Sequence, residues 1–285
     1  MRHVFVRLNR AAVNASVRAC PVSLFATLFR VAAFVAIASV AAFLPPDLAA
    51  QGAKTTEPKA ASLVEAYEGK TDLAGLDVTS TFTLIQKKEG ESDRVLRIQI
   101  YRRDAADTFT LLFQYPDSEK GKGYWRSRDD LFLYLPTTRE FVYRNRKDDV
   151  GGSDIRTDLF GKPNTLAQYW ASLAGTAKVS AWDCDVVRLD AKKLDVAYPV
   201  QKVYFRKTDG LPVKTESFSA GETLLRTTYY VDYKALPGGK FLFTKLLAVD
   251  ALEKGQKTYL TNEGVVTERI PDYTFSKAFL EEKSR

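Results

Sequence analysis

The sequence is almost without histidine. Its single histidine is His3, which lies in an N-terminal stretch that we expect to be removed. Nucleophilic sites of the Ser-His-Asp or Cys-His type need an imidazole as their base, and many zinc sites use histidine as a ligand. The remainder of the chain therefore excludes a histidine-dependent hydrolase and any histidine metal site.

Cysteine is nearly as scarce, with only Cys20 and Cys184 in the chain. Once the N-terminal stretch is removed, Cys184 is the only thiol, so no intrachain disulfide can form. An exported domain of this kind depends on its hydrophobic core alone for stability. We interpret Cys184 as a small residue of a strand, and the sequence gives no cofactor or metal site.

A strong excess of one charge is also missing. The chain has 42 basic and 35 acidic side chains, but five of the basic ones and one acidic one fall in residues 1–50, which leaves 37 against 34, a net charge of +3. Nucleic-acid binding usually needs a clustered basic face. The remaining balance predicts no nucleic-acid partner.

The first fifty residues predict a signal peptide and a periplasmic protein. Basic residues come first, an apolar run over Val31–Leu44 follows, and a cleavage site precedes Gln51. The alternative is an uncleaved anchor over Val22–Leu44. That span contains Arg30, and an arginine in mid-membrane costs about 2.5–3.5 kcal/mol on insertion scales.

The rest of the chain predicts a polar linker over residues 51–58 and a single domain over 59–285. Lys59–Gly69 has helical spacing and ends at a glycine. A second helix is predicted to begin at Pro163 and end at Gly175. Its apolar stripe would consist of Leu166, Tyr169, Trp170 and Leu173.

Hydrophobic periodicity of two dominates from Leu76 onward, which is typical of half-buried strands. Short breaks between the runs favour antiparallel hairpins. The sequence therefore predicts a mainly β fold. Its core would be an open antiparallel sheet of about eleven or twelve strands, with two or three short helices that cover the concave face. Further strands are predicted at Val179–Asp190, Val200–Arg206, Val213–Phe218, Leu224–Tyr233, Phe241–Asp250 and Lys257–Arg269.

Gly121–Trp170 is the most distinctive stretch. It predicts a hairpin around Pro136, then a short helix that Ser153 or Asp154 is suited to cap. The stretch resembles the outer-membrane lipoprotein-sorting proteins, periplasmic relatives of the carrier LolA, and weaker similarity extends over about residues 76–270. The motif residues are Gly123, Trp125, Asp130-Leu131, Tyr134-Leu135-Pro136, Arg144, Gly152-Ser153-Asp154 and Asp158-Leu159.

The resemblance implies a strongly curved half-barrel with an apolar cavity for acyl chains of lipids or lipoproteins. The implied activity is transport rather than catalysis, with an inner-membrane transporter and an outer-membrane acceptor as partners. A lipid- or lipoprotein-sensing regulatory module is the alternative. The residues expected to bind lipid are Phe82, Leu84, Ile98, Ile100, Phe109, Leu111, Phe113, Trp125, Leu133, Tyr134, Leu166 and Trp170.

Charged side chains leave two further interpretations open. Asp183 and Asp185 lie two apart on a predicted strand and so share one face, as a divalent-cation pair or a carboxylate-only hydrolase would need; a solvated face is the simpler interpretation. A basic patch could meet an anionic headgroup or an acidic partner, or could be a solvated strand face. It consists of Arg139, Arg144, Arg146 and Lys147.

Overall fold

The computed structural model describes residues 54–145, 147–194 and 196–284. These residues form one open antiparallel sheet of 13 strands, in the spatial order β6-β5-β4-β3-β2-β1-β13-β12-β11-β10-β9-β8-β7. The predicted signal peptide lies outside them. The strands are β1 (Asp77–Lys87), β2 (Arg94–Arg103), β3 (Thr108–Tyr115), β4 (Gly123–Ser127), β5 (Asp130–Leu135), β6 (Glu140–Arg144), β7 (Tyr169–Val179), β8 (Trp182–Ala191), β9 (Val200–Arg206), β10 (Pro212–Phe218), β11 (Leu224–Leu236), β12 (Lys240–Asp250) and β13 (Lys257–Val266).

Two meanders meet at the centre of the sheet. The first runs outward from β1 to the edge strand β6, and the second runs inward from the edge strand β7 to β13, which pairs with β1. Every pairing is antiparallel because the connections are mostly short turns. The sheet therefore keeps two edges and stays open, as the sequence predicted.

Alternation along β1 explains how the sheet acquires a buried face. Val78, Ser80, Phe82 and Leu84 are buried, and the residues that alternate with them are half-buried. Successive side chains of a strand point to opposite faces, so one face packs against the core and the other meets solvent. The strands predicted from this period are confirmed, with shifts of a few residues at their ends.

The described residues also form three α-helices: α1 (Pro58–Thr71), α2 (Thr165–Gln168) and α3 (Lys277–Lys283). The prediction of α1 is confirmed. Residues 54–57 before it lie beside edge strand β7, where Glu57 donates its backbone N–H to the Ala171 carbonyl at 2.8 Å. This first part of the described chain covers part of the exposed edge of β7.

The predicted second helix over residues 163–175 is wrong. Only Thr165–Gln168 is helical, and Tyr169–Val179 forms β7, paired with β8. The helical spacing of Leu166, Tyr169 and Leu173 is coincidental, since tertiary pairing overrides local propensity. Gly175 has a φ of +90° beside the register shift in β7, so it is a bulge glycine rather than a helix end. Because of this additional strand, the sheet has 13 strands rather than the predicted eleven or twelve.

The largest core cluster covers β1–β5, β12 and β13. Residues 147–168, here called the connecting segment, complete this cluster with Val150, Ile155 and Phe160. The Phe160 ring packs edge-on against Phe82, with the ring centroids 4.8 Å apart. The buried face of the first meander is therefore filled by side chains from the segment that follows it.

A second cluster lies between α1 and strands β7–β9. Ala60 and Val64 of α1 are buried there against Val187 and Phe205. The Tyr67 ring, one turn further along α1, lies 5.7 Å from the Phe205 ring. This packing holds α1 against the same face of the sheet that carries the first cluster.

Helix α3 packs against the other face. Its Phe279 ring lies edge-on to Tyr101 at 5.3 Å, whereas the strand neighbours of Tyr101 face the core. Ser276 begins the helix, and its side chain accepts a hydrogen bond from Phe279 N at 3.2 Å. Leu280 is fully buried against Gly123.

We predict that Gly123→Ala lowers the free energy of unfolding by about 1–3 kcal/mol, the usual range for overpacking a core. A Cβ at Gly123 would lie 2.5 Å from Leu280 Cδ2 and 2.6 Å from the Leu111 carbonyl oxygen. The urea midpoint measures the change. Gly69→Ala is the matched control: nothing lies within 4 Å of its Cβ position, and alanine favours the helix. Equal midpoints for Gly123→Ala and the unsubstituted protein would contradict the prediction.

Asp77 joins β1 to β2 and to the chain after β13. Its carboxylate accepts from Arg103 Nε at 2.9 Å, Arg103 Nη2 at 2.7 Å and Ile270 N at 2.8 Å. Burial alone would raise the pKa of Asp77, but these hydrogen bonds together hold that pKa below its usual 3.8. The charged form therefore binds more tightly to the folded protein than the acid form does.

This lowered pKa predicts a pH-dependent contribution to stability. The unfolded chain takes up the proton first, so Asp77 stabilises the fold above its unfolded pKa and loses that contribution as the pH falls through the lower folded value. Urea midpoints of the protein and of Asp77→Asn should differ at neutral pH and converge below pH 3.8. A difference that stays constant over this range would show that the Asp77 charge contributes nothing.

Candidate functional site

A cavity of about 240 Å³ lies over strands β9–β12. Its floor is the buried face of these strands, and its other walls are α1 and the connecting segment. The cavity is partly open to solvent. Here the side chains of α1 and the connecting segment do not fill the space above the concave face of the second meander.

The floor of the cavity is polar at one end. Cross-strand pairing aligns Gln201 with Ser217, Ser217 with Arg226 and Arg226 with Asp250. These four residues are here called the polar row. Directly opposite residues on neighbouring strands lie side by side on one face, so the row is a continuous band of hydrogen-bonding groups.

Along the strands, each successive row of side chains on this face, two residues further on, is less polar than the one before. Beside the polar row lie Thr215, Thr228 and Ala248, which are paired with one another. Next come Tyr230 and its partner Leu246, here called the apolar row together with Leu260. The strand period of two produces this gradient.

Side chains of α1 and the connecting segment close the apolar end. Tyr67 and Leu159 face the apolar row across the cavity. Phe243 also lines it, and its ring lies 6.5 Å from the Tyr230 ring. A chain of methylene groups would be surrounded by aromatic and aliphatic carbon at this end.

Polar contacts anchor the connecting segment on both sides of the cavity. Lys162 forms an ion pair with Asp72 beyond the end of α1 at 3.3 Å, and Thr165 N donates to the Glu68 side chain. On the sheet side, Thr258 Oγ1 donates to Asp154 at 2.6 Å. The segment is thereby fixed to both walls of the cavity.

The prediction that Ser153 or Asp154 caps a helix is wrong. The 3₁₀ turn that follows, Thr157–Phe160, has no side-chain cap. Ser153 Oγ instead accepts from Ile155 N at 3.2 Å in a local turn. Asp154 is 2 % exposed, and its carboxylate accepts hydrogen bonds from Gln256 and Thr258. Its oxygens therefore bind residues that are distant in the sequence rather than the N–H groups of a helix.

Charged groups of both signs surround the polar row. Arg226 Nη atoms lie 3.4 Å from Asp149 and 3.7 Å from Asp154, and Arg156 lies 3.3 Å from Asp158. Burial raises the pKa of the Asp149 carboxyl, although Arg226 opposes the rise. Acidic and basic side chains therefore meet near this end of the cavity in long contacts of 3.3–3.7 Å.

The tyrosines of the cavity are hydrogen-bonding groups rather than bases. Burial raises the pKa of Tyr230 and of Tyr233, and it raises the pKa of Tyr169 to about 12. These phenols stay protonated at neutral pH. Their hydroxyl groups supply polar contacts within an otherwise apolar surface.

None of the twelve residues expected from the sequence to bind lipid lines this cavity. The seven on β1–β3 are at most 2 % exposed and belong to the first core cluster. Phe82 and Ile100 line a separate void of about 10 Å³. The seven are Phe82, Leu84, Ile98, Ile100, Phe109, Leu111 and Phe113.

The other five are spread over both faces. Leu133 packs on the first cluster and Leu166 on the second. Tyr134 is buried. Trp125 lies on the face that α3 covers, and its indole N–H donates to the Phe275 carbonyl at 2.7 Å. Lys192 Nζ lies over the Trp170 ring, 4.4 Å from the ring centroid. The structure does not bring these five together.

The residues that do line the cavity could have been found by following one strand. In β11, Arg226, Thr228 and Tyr230 recur with the period of two and pass from charged to aromatic. Leu246 and Phe243 on β12 could not be assigned to the cavity, because their exposure depends on where the connecting segment packs.

Two of the remaining charged candidates, Arg144 and Asp185, form ion pairs. Arg144 pairs with Asp148 at 2.9 Å, and Lys147 Nζ donates to the Leu194 carbonyl at 3.2 Å. Arg146 of the predicted basic patch lies outside the described residues. Asp185 lies 3.8 Å from Lys207, and in the described part of the chain no three histidine, cysteine or acidic side chains are placed to hold a metal.

This architecture defines a class: a mainly β protein with an open, curved sheet whose concave face is covered by a helix and a connecting segment around a cavity. A family model described as "Uncharacterized protein" matches residues 105–282, and the chain belongs to that family. The resemblance to LolA-like lipoprotein-sorting proteins is confirmed at the level of the fold. No curated protein matches the sequence significantly.

The solved structures that are similar over most of the chain include the following three. A LolA superfamily protein from Nitrosomonas europaea is 18% identical with a TM-score of 0.67, covering 77% of this chain and 98% of its own. A putative outer membrane lipoprotein-sorting protein domain from Vibrio parahaemolyticus is 19% identical with a TM-score of 0.68, covering 78% and 98%. A DUF1329 family protein from Desulfovibrio piger is 17% identical with a TM-score of 0.68, covering 78% and 98%.

None of these relatives is described as an enzyme. Within residues 54–145, 147–194 and 196–284, no helix is long and apolar enough to cross a membrane.

Proposed function

We propose that this protein binds the acyl chain of a lipid or lipoprotein non-covalently in the cavity over β9–β12. The observation that carries the proposal is the unfilled space above the apolar row, which Tyr230 and Leu246 line from below and Leu159 from above. Each methylene that leaves water for such a surface gains about 0.8 kcal/mol. Affinity for a chain therefore needs no polar recognition at this end.

A longer chain enters when the connecting segment moves. Leu159 and Phe243 line both the cavity and the void beside Phe82, and Phe160 lines the void. Withdrawal of Phe160 from the core would join the two spaces and give a chain access to residues of β1 and β2. Exposing one such side chain costs about 1.5–3 kcal/mol, which burial of about three methylenes offsets. In this proposal, the predicted lipid-binding residues Phe82 and Ile100 take part in the open form.

The proposed role is a carrier of lipoproteins or lipids in the periplasm, without enzymatic activity. The predicted signal peptide and the description of the Vibrio parahaemolyticus relative as an outer membrane lipoprotein-sorting protein support this role. The acyl chain would be received from an inner-membrane transporter and passed to an outer-membrane acceptor. A sensor would use the same cavity without passing the chain on.

Native mass spectrometry of protein prepared without detergent tests the binding. We expect a population of heavier protein that releases acyl-containing molecules on denaturation. Only the mass of the bare polypeptide, before and after incubation with lipid, would contradict the proposal. Transfer of a labelled lipoprotein to outer-membrane vesicles then separates a carrier from a sensor, because only a carrier releases its cargo there.

A further inference from the structure

The polar row has a donor that the protein itself does not use. Arg226 lines the cavity with 13% of its side chain exposed. Its Nε is buried and makes no hydrogen bond with any described residue. An unused guanidinium donor beside a cavity is costly unless a ligand or water accepts from it.

Two of the carboxylates near Arg226 accept hydrogen bonds from other groups of the protein, whereas the remaining charged groups have only long contacts. Asp154 is committed to Thr258 and Gln256, at 2.6 Å each. Asp250 accepts from the N–H groups of Leu252 and Glu253. Both also lie within ion-pair distance of Arg226, Asp154 at 3.7 Å and Asp250 at 3.9 Å, but their hydrogen bonds are made with other groups.

The available groups are two cations and two anions. Arg226 and Arg156 both line the cavity, and each meets a carboxylate only loosely: Asp149 at 3.4 Å and Asp158 at 3.3 Å. Asp158 also lines the cavity, and about half of its side chain is exposed. A ligand group of either sign would find an opposite charge here.

We propose that the polar row and these four groups bind a zwitterionic headgroup, one that carries a phosphate and an ammonium. The inference rests on the proposed function, since it assigns the head of the amphiphile whose tail lies on the apolar row. The planar guanidinium of Arg226 suits a phosphate, with Arg156 as second donor. The ammonium pairs with Asp158 and Asp149.

The geometry along β11 fits such a molecule. Arg226 and Tyr230 are four residues apart on one face, which corresponds to about 13 Å of strand. A head at Arg226 therefore leaves its tail over Tyr230 and Leu246. A purely anionic head would take the two arginines and leave the carboxylates of Asp149 and Asp158 without a partner, whereas a neutral head would leave the two long ion pairs as they are and gain nothing from their charges.

Displacement of a neutral fluorescent probe, N-phenyl-1-naphthylamine, by three amphiphiles with the same dodecyl tail tests the inference. Dodecylphosphocholine is zwitterionic, dodecyl phosphate is anionic and dodecyl maltoside is neutral, and all are used below their micelle concentrations. We expect dodecylphosphocholine to displace the probe at the lowest concentration, by about tenfold, the effect of one charge-assisted hydrogen bond.

Two variants test the contributions of the cationic and the anionic groups separately. Arg226→Gln should weaken dodecylphosphocholine about tenfold and leave dodecyl maltoside unchanged. Asp158→Asn, at an exposed position that does not endanger folding, should shift the preference towards dodecyl phosphate. Arg188→Gln is the matched control, because Arg188 is ion-paired to Asp190 and Glu222 outside the cavity.

Equal displacement by all three amphiphiles, or an equal loss for all three in Arg226→Gln with no shift in Asp158→Asn, would overturn the headgroup inference and leave acyl binding intact. Failure of the probe and of every amphiphile to bind would overturn both proposals together. Circular dichroism of each variant identifies a loss that arises from misfolding, and Asp158→Asn then decides alone.

Discussion

Asp104→Asn is expected to lower the free energy of unfolding by about 3–5 kcal/mol, the cost of breaking a buried ion pair from one side. Asp104 accepts from Arg102 Nε at 2.6 Å and from Arg102 Nη2 at 2.5 Å, and the two side chains are 1% and 6% exposed. It also accepts from Leu73 N at 2.8 Å. Removing the charge leaves a buried guanidinium without its counterion.

This pair also supports the cavity. Arg102 lines it and donates to the Thr71 carbonyl at the end of α1, at 3.3 Å. The Asp104 carboxylate therefore positions the residue that ties the helix to β2. We expect Asp104→Asn to loosen α1 as well as to weaken the fold, and faster amide exchange in α1 measures that loosening.

Asp93→Asn is the control for Asp104→Asn. Asp93 pairs with Lys87 at 2.6 Å, a similar distance, but the two side chains are 47% and 42% exposed. An exposed pair contributes little to stability, because water and salt screen the attraction between its charges. Urea unfolding of both variants should separate them clearly. Similar losses in the two would mean that burial does not set the value of the Arg102–Asp104 pair.

Thr228→Trp is expected to weaken acyl-chain binding about fiftyfold while the protein stays folded. Thr228 lies in the middle of the cavity floor, between the polar and apolar rows. An indole there takes the space of about three methylenes, each of which contributes about 0.8 kcal/mol, and the resulting ~2.5 kcal/mol corresponds to about fiftyfold in affinity.

Thr227→Trp is the matched control for this variant. Thr227 is the neighbouring residue of the same type on the same strand, and alternation places it on the opposite face. Titration with a fluorescent fatty acid should give unchanged affinity in Thr227→Trp and the large loss in Thr228→Trp. Equal affinity in both variants would place the bound chain somewhere other than above β11.

Most of the sheet could be predicted from the sequence because its strands keep a strict period of two. Phe82 and Leu84 of β1 and Ile98 and Ile100 of β2, which the sequence predicts to line one surface, lie together in the first core cluster. Strand β7 was missed because Leu166, Tyr169 and Leu173 match a helical spacing by chance. Pairing with β8, which no local pattern encodes, decides the matter.

The position of the cavity could not be predicted for a different reason. Apolar residues line the buried face of both meanders, and the sequence does not show which part is filled. The outcome depends on Phe160, whose ring occupies the space above Phe82 rather than the space above Tyr230. Close packing leaves no room for a ligand where such a side chain already lies.

Photo-crosslinking with a fatty acid that carries a diazirine at the end of its chain shows where the acyl chain lies in the complex. Peptide mapping by mass spectrometry identifies the residues reached by the chain. We expect crosslinks to Tyr230, Leu246 or Phe243, and their loss in Thr228→Trp. Crosslinks confined to the other face of the sheet, around Phe132 and Tyr143, or crosslinks that Thr228→Trp leaves unchanged, would contradict this expectation.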